Sequence, residues 1–260
     1  MSAHVTLAHE PDGLATVVLD HAPVNALTRP VRAELRAVAA QVADSDARAV
    51  VLSGGPTILS AGADVAELAD VAERADPHAA RELADDLQET VRALATLPQV
   101  VVAAIEGHAL GLGLELALAA DLRVAGRNAQ LALPQIGLGL LPGGGATQRL
   151  PALVGARRAR ELILGGAHHD AAEAHAMGLV DACCEPGEAG EAARERARAF
   201  AGGPAAQALA KEALVAATVD EDGLRRESAL LAQALLTEDA RRGLRAYRAS
   251  GPGQASFHGR

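Results

Sequence analysis

Short apolar runs alternate with longer amphipathic stretches through the first half of the chain. Val5–Ala8 and Ala15–Leu19 flank the turn-forming sequence Pro11-Asp12-Gly13, which predicts two strands. The runs at 49–52 and 100–105 contain no charged residue, as is typical of strands buried on both faces of a parallel sheet.

Helical patterns occupy the intervals between these strands. The longest extends from about Pro77 to Leu97, and an apolar helix is predicted after the glycine-rich segment 107–113. Strands that alternate with helices predict an α/β fold with a parallel or mixed sheet covered by helices. Beyond Pro142 the pattern is almost wholly helical, and the composition shifts near residue 200. We therefore expect a core, residues 1–200, and a helical C-terminal segment, residues 201–260.

The charge balance and the composition narrow the range of partners. Asp and Glu total 33 against 24 Lys and Arg, for a formal net charge of −9. That sign argues against a nucleic acid or an anionic membrane surface as the main partner. Half of the residues are hydrophobic and 22% are charged, a composition typical of globular domains.

Neither a targeting segment nor a membrane span is visible in the sequence. The first residues lack the basic and apolar regions of a signal peptide, and no apolar run approaches the roughly 20 residues of a membrane helix. Cys183 and Cys184 are adjacent, which fits neither a disulfide framework nor a four-ligand zinc site. A cytoplasmic protein without a membrane partner is therefore expected.

Several catalytic chemistries lack their motifs. Lys211 is the only lysine and no glycine loop precedes it, which excludes a Walker-type phosphate loop. The sequence has no Gly-x-Ser-x-Gly elbow of a serine hydrolase. His168, His169 and His175 lack the helical spacing of a metal-binding pair and an acidic cluster beside them. They are interpreted as surface histidines, and no metal is expected.

Glu115 is the most informative polar residue. Within the segment from Ala109 to Ala120 every other residue is apolar or glycine. Burying a lone carboxylate is costly unless the group is paired or used. Two interpretations stay open from the residues alone, namely an ion pair with Arg123 or a more distant arginine, and a functional carboxylate.

Glycine-rich turns precede predicted helices at three places. The segment 107–113 leads into the helix of Glu115, and Ser60–Val65 follows the strand at 49–52. Free N–H groups at a helix start stabilise negative charge, so these two turns could aim two donors at one oxygen. Asp64 is interpreted as a helix N-cap. The third turn, Pro142–Thr147, could be another anion site or a tight packing corner, and we favour the packing corner.

Together these segments resemble the enoyl-CoA hydratase/isomerase family, the crotonase superfamily. The likeness runs from about residue 5 to the C-terminus, with the motifs in the family's order and spacing. Three segments are similar to the family's main motifs: Ser60–Val65, Gly107–Leu116 and Leu133–Leu150. Shorter matches are Pro23–Leu27, Ala171–Val180 and Lys211-Glu212.

The resemblance implies a spiral of repeated ββα units with a helical C-terminal region. It also implies a homotrimer or a homohexamer (a dimer of trimers), with residues 201–260 as the trimerisation segment. The implied ligand is an acyl-CoA thioester whose carbonyl oxygen accepts hydrogen bonds from the amides of Ala63 and Leu112. Coenzyme A is then part of the substrate, and no separate cofactor is expected. The implied contacts of coenzyme A and substrate are Val24, Ala61, Gly62, Asp64 and Val65.

One position departs from the pattern of the family's hydratases. Those enzymes use two glutamates; Glu115 matches the first, whereas Gln135 stands at the second. A glutamine can hold a water or an acyl oxygen, but it cannot give or take a proton near neutral pH. We expect hydration of an enoyl-CoA with Glu115 as the acid/base. The alternatives are a one-carboxylate isomerisation or decarboxylation in the same site, and a non-catalytic acyl-CoA-binding or scaffold member.

Overall fold

The computed structural model describes residues 4–204 and 206–257, where nine strands form two sheets. In chain order they are β1 (Val5–His9), β2 (Leu14–Leu19), β3 (Ala49–Ser53), β4 (Val100–Ile105), β5 (His108–Leu110), β6 (Leu122–Gly126), β7 (Gln130–Ala132), β8 (His169–Asp170) and β9 (Ala182–Cys184). The larger sheet has the order β1-β2-β3-β4-β6-β9, and the smaller one has the order β5-β7-β8. Within the larger sheet β1 and β2 are antiparallel, and the other pairs are parallel.

Ten α-helices accompany the sheets in the same part of the chain. They are α1 (Arg29–Ala43), α2 (Val65–Arg74), α3 (Pro77–Ala95), α4 (Leu112–Ala119), α5 (Ala146–Gly165), α6 (Ala171–Ala176), α7 (Ala189–Ala201), α8 (Ala206–Thr218), α9 (Glu221–Leu235) and α10 (Glu238–Ser250). A short 3₁₀ helix, Pro134–Leu138, follows β7. None of the described helices is long and apolar enough to cross a membrane.

The chain repeats a unit of two strands and a helix. β4, β5 and α4 form one unit, and β6, β7 and α5 form the next. In the preceding unit no second strand is assigned among the described residues between β3 and α2; Ser60 and Ala63 there form isolated bridges with Ala109 and Leu27, respectively. The predicted α/β fold and its repeated ββα unit are therefore confirmed.

The parallel register brings the first two glycine-rich turns side by side. Ser53 pairs with Ala104, so β3 and β4 end at the same edge of the sheet. Beyond that edge Ser60 N donates to His108 O at 3.1 Å, and Leu110 N donates to Ser60 O at 3.0 Å. Two turns that are far apart in sequence thereby become neighbours.

Acidic side chains start the two helices that follow the first turn. Asp64, interpreted as an N-cap, accepts a hydrogen bond from Ala66 N at 2.9 Å at the start of α2. Asp76 accepts one from His78 N at 2.9 Å, and Pro77 occupies the first position of α3. Each side chain satisfies a backbone N–H that has no partner inside its helix.

The C-terminal helices pack back onto the core. α9 lies against α3, and α10 lies against α2 and the 3₁₀ helix. Leu231 and Leu235 of α9 and Leu244 of α10 are buried in the same core as the sheet. The helical prediction beyond Pro142 needs one correction, because β8 and β9 are short strands. Pairing with β7 and β6 keeps them extended, and segments this short carry no periodicity in sequence.

Candidate active site

A cavity of about 420 Å³ is lined by both glycine-rich turns. Its wall is mostly apolar, with leucines from α2, α3, α4 and α9. Among the described residues of the wall, four side chains can form hydrogen bonds: Glu115, Gln135, His168 and Tyr247. Two larger hollows, of about 570 and 1060 Å³, lie along α8 and contain neither turn. The predicted chemistry therefore belongs to the smaller cavity.

Glu115 is held by backbone amides and not by an arginine side chain. Its Oε1 accepts hydrogen bonds from Gly144 N at 2.7 Å and from Ala146 N at 3.1 Å. The ion pair with Arg123 left open by the sequence is absent, because Arg123 bonds to Asp181 and to backbone carbonyls. A buried carboxyl group with amide donors in a cavity wall favours the functional interpretation.

The third glycine-rich turn supplies these donors, which corrects its interpretation as a packing corner only. A Cβ atom at Gly144 would lie 2.8 Å from Leu112 Cδ1 and 3.1 Å from Glu115 Cβ. Glycine is needed there because the backbone must approach α4 closely enough for its amide to reach the carboxyl group. The third turn, like the other two, precedes a helix and so has backbone N–H groups without partners inside that helix. Here these N–H groups bind the carboxyl group of Glu115.

Burial dominates the electrostatics of Glu115, which is 1% exposed. Loss of solvation raises the pKa of its carboxyl group to about 8, and the neighbouring charge of Glu227 acts in the same direction. The amides of Gly144 and Ala146 and the charge of Arg149 oppose this rise only in part. Glu115 therefore keeps its proton near neutral pH.

Gln135 contacts Glu115 from the 3₁₀ helix. Its Nε2 donates to Glu115 Oε2 at 3.3 Å, while its Oε1 is buried and has no hydrogen-bond partner among the described residues. The backbone of Gly111, with φ of 52°, passes close to this amide. The pair thus presents one titratable group and one neutral acceptor at the same side of the cavity.

Ala63 and Leu112 both line this cavity together with Glu115. Within residues 4–204 and 206–257, neither backbone N–H donates a hydrogen bond to the protein. The turns approach closely, since a Cβ atom at Gly62 would lie 3.3 Å from Leu112 N. Two unpaired donors in one wall are available to a ligand.

The residues predicted to contact coenzyme A divide into two groups. Ala61, Gly62 and Val65 line the cavity. Val24 accepts a hydrogen bond from Ala61 N at 2.9 Å but is 39% exposed and lies outside the cavity wall, as does the cap residue Asp64. The roles of these five residues remain predictions.

The three histidines considered in the sequence do not form a metal site in the described part of the chain. His169 lies 3.3 Å from Glu173, and His175 Nδ1 lies 3.1 Å from Val180 O. His168 is exposed, yet it lines the cavity, a position that the surface interpretation missed. In the part of the chain that the structure describes, no group of three or more His, Cys, Asp and Glu is placed to hold a metal ion.

The sequence analysis also missed Glu227, a buried residue of α9. Its Oε1 accepts from Gly145 N at 2.5 Å, and its Oε2 accepts from Thr147 N at 2.8 Å and from the Thr147 hydroxyl group. Charged residues surround it in sequence, so no local pattern marks it as buried.

Known proteins share this sequence pattern. A family model described as enoyl-CoA hydratase/isomerase matches residues 9–256. The chain belongs to the enoyl-CoA hydratase/isomerase family. The protein named probable enoyl-CoA hydratase echA17 from Mycobacterium avium (strain 104) is 41% identical over 213 residues, which cover 82% of this chain and 79% of that protein.

Solved structures of the enoyl-CoA hydratase/isomerase fold superpose on the chain. An enoyl-CoA hydratase from Mycobacterium avium subsp. paratuberculosis K-10 has 31% identity and a TM-score of 0.85, covering 99% of this chain and 100% of that one. Pseudomonas aeruginosa DspI has 38% identity and a TM-score of 0.78, covering 83% of this chain and 88% of that one. The resemblance inferred from the motifs is therefore confirmed.

Proposed function

We propose that this member of the enoyl-CoA hydratase/isomerase family is an enzyme that binds an acyl-CoA thioester, stabilises its enolate and hydrates an enoyl-CoA. The observation that carries the proposal is Glu115, a buried carboxyl group in an apolar cavity wall beside the amide of Gln135. Relatives named enoyl-CoA hydratase support the choice of reaction.

The thioester carbonyl oxygen would accept hydrogen bonds from the backbone amides of Ala63 and Leu112. Both donors are unpaired within the described residues and line the cavity that holds Glu115. Fixed donors aimed at an oxygen that becomes negative stabilise the enolate, and one such donor contributes about 2.7–4 kcal/mol to the transition state. The remainder of the coenzyme A would contact Val24, Ala61, Gly62, Asp64 and Val65.

In the proposed hydration, Glu115 moves the proton and Gln135 orients the water. The ionised Glu115 takes a proton from water as the water oxygen bonds to the β-carbon of the enoyl group, which leaves the enolate. Glu115 then returns that proton to the α-carbon, so no second acid is consumed. The unpaired Oε1 of Gln135 is the acceptor that would hold the second hydrogen of the water.

The cavity wall favours an apolar acyl group. Leu68, Leu87, Leu140 and Leu231 line it, and the polar side chains of the wall are few. A charged substituent on the acyl chain would lose its solvation among these leucines, which offer it no compensating charge or hydrogen bond.

A one-carboxylate reaction is the second candidate, and the protonation state of Glu115 favours it. With a pKa of about 8 and a neutral neighbour, Glu115 stands ready to donate a proton to an enolate formed by loss of carbon dioxide. An isomerisation, by contrast, would need Glu115 ionised to take a proton from the acyl chain. The pH dependence of kcat/KM therefore distinguishes a reaction in which Glu115 first donates a proton from one in which it first accepts a proton.

The test compares wild type with Glu115→Gln on short enoyl-CoA substrates. We expect hydration by wild type, with kcat/KM rising as the pH increases through about 8, because the base form of Glu115 is then populated. Glu115→Gln should lose at least about a hundredfold in kcat/KM, the lower end of what a positioned acid/base contributes.

The matched control is Glu195→Gln, an exposed glutamate on α7. It should leave both kcat/KM and its pH dependence unchanged. Full hydration activity in Glu115→Gln would refute the role of Glu115. A kcat/KM that falls above pH 8 would refute the base role and favour decarboxylation.

A further inference from the structure

Four consecutive backbone amides at the start of α5 alternate between two buried carboxyl groups. Gly144 N and Ala146 N donate to Glu115, whereas Gly145 N and Thr147 N donate to Glu227. Each carboxyl group thus takes every second amide of one short loop. A movement of either carboxyl group changes the position of the loop that holds the other.

The two groups come from different parts of the chain and have different access to the cavity. Glu115 belongs to α4 and lines the cavity; Glu227 belongs to α9, is 2% exposed and is absent from the cavity wall. A ligand in the cavity therefore contacts Glu115, while Glu227 lies behind the loop. Glu227 can therefore reach the site only through the loop that it shares with Glu115.

The buried groups around the 144–147 loop include two carboxyl groups and one guanidinium group, that of Arg149. Arg149, 8% exposed, donates from Nη1 to Gly144 O at 2.8 Å, and its charge acts on both carboxyl groups. One cation and a helix N-terminus cannot fully compensate two buried anions. One of the two carboxyl groups therefore keeps its proton.

Hydrogen bonding indicates which group is ionised. The hydroxyl group of Thr147 donates to Glu227 in addition to two amides, whereas the third donor to Glu115 is the longer contact from Gln135 at 3.3 Å. Burial raises the pKa of Glu227 as well, and the hydrogen bonds from Thr147 and Gly145 oppose that rise. Because donors stabilise the charged form of a carboxyl group, we assign the charge to Glu227 and the proton to Glu115.

We propose that Glu227 is a positioning residue for Glu115: it fixes the 144–147 loop and places a negative charge behind the group that moves the proton. The inference rests on the proposed function, in which Glu115 is that group. The other polar groups that face Glu115 are Gln135 from the 3₁₀ helix and Arg149 from α5, with His168 and Tyr247 across the cavity wall. Glu221 and Arg92 act on Arg149 at longer range.

Glu227→Gln tests the proposal because it removes the charge and keeps the shape and one acceptor. We expect the pH at which kcat/KM changes to move down by about one unit, since a neighbouring like charge is gone. KM for the acyl-CoA should change less than kcat, because Glu227 does not touch the cavity. Asp222→Asn, which removes an exposed charge from the first turn of the same helix, should leave the profile in place.

A measurement on the wild-type protein covers the case in which Glu227→Gln does not fold. In carbon-13 spectra of protein labelled at glutamate carboxyls, the resonance that is missing from Glu115→Gln should titrate near pH 8. The resonance of Glu227, identified through Glu227→Asp, should titrate at a lower pH. The reverse order, or an unchanged pH profile in a folded Glu227→Gln, overturns the inference while leaving the proposed function intact. An active Glu115→Gln overturns the proposed function first.

Discussion

Gln135 and Glu115 share one hydrogen bond, and this contact limits how protons can move in the cavity. Gln135 cannot give or take a proton near neutral pH, so under the proposed function Glu115 alone both takes and returns the proton. The Gln135 side chain is a neutral amide that offers one hydrogen-bond acceptor, Oε1, and one donor group, Nε2. At the scale of single residues, a change of charge at position 135 therefore distinguishes hydration from a reaction that uses one carboxyl group.

Gln135→Glu addresses that question directly. If hydration is the native reaction, a second carboxyl group should raise its kcat/KM at least about tenfold, because a positioned acid contributes roughly 10²–10⁴-fold. The assay is hydration of a short enoyl-CoA, with Gln41→Glu on the exposed face of α1 as the control. A slower native reaction would instead indicate that two neighbouring carboxyl groups disturb a one-carboxylate mechanism.

The raised pKa of Glu115 also predicts how stability depends on pH. Its pKa is about 8 in the folded protein and 4.5 in the unfolded chain, so between these values folding binds a proton. The free energy of unfolding should then fall as the pH rises through this window, by up to about 1.4 kcal/mol per pH unit from this group. Urea unfolding of wild type and Glu115→Gln between pH 5.5 and 7.5 measures the contribution of this carboxyl group to the free energy of unfolding. If the two proteins differ in that free energy by the same amount at every pH, the prediction is wrong.

At the scale of elements, one buried arginine joins three helices behind the first turn. Arg32 of α1 is 1% exposed and donates to Glu67 of α2, to Asp86 of α3 and to Leu27 O. Leu27 N in turn donates to Gly62 O at 2.8 Å. The turn that carries Ala63 is thus tied to the packing of three helices.

Arg32→Met should lower the free energy of unfolding by about 3 kcal/mol, because it leaves Glu67 and the Leu27 carbonyl group without their cation and Asp86 with Arg36 alone. The control is Arg81→Met, an exposed arginine that pairs with Asp85 on α3 and should change stability by less than about 1 kcal/mol. Urea unfolding at pH 7 compares them. An equal loss of unfolding free energy in both variants would show that the buried arginine stabilises the protein no more than the exposed one.

Local sequence patterns predicted the elements and part of the site. The strands at 49–52 and 100–105 and the Glu115 carboxyl group were predictable, because a run of apolar residues or a lone charge within one is visible without a fold. Glu227 was not, since its partners Gly145 and Thr147 lie 82 and 80 residues away and only the packing of α9 brings them together. The amides of 144–147 were visible as a glycine run, but their acceptor was not.

At the scale of the whole molecule, we propose that the chain assembles into a trimer or a hexamer. Leu209 and Leu214 of α8 are 68% and 66% exposed, and two hollows lie along this helix. Apolar side chains exposed on one helix favour an interface between copies. Light scattering should give three or six times the chain mass of 26.4 kDa. A stable monomer at micromolar concentration would contradict this expectation.

The sharing of loop amides between α4 and α9 has a consequence for biosynthesis. Glu115 is synthesised before the midpoint of the chain, together with its strand and turn, but the loop beside it is fixed only when α9 packs in place. Since chains emerge from the ribosome N-terminus first, Glu115 is synthesised long before its surroundings are complete. A nascent chain whose α9 is still inside the ribosome therefore lacks the contacts that Glu227 makes with the 144–147 loop, and the candidate site is complete only after α9 has packed.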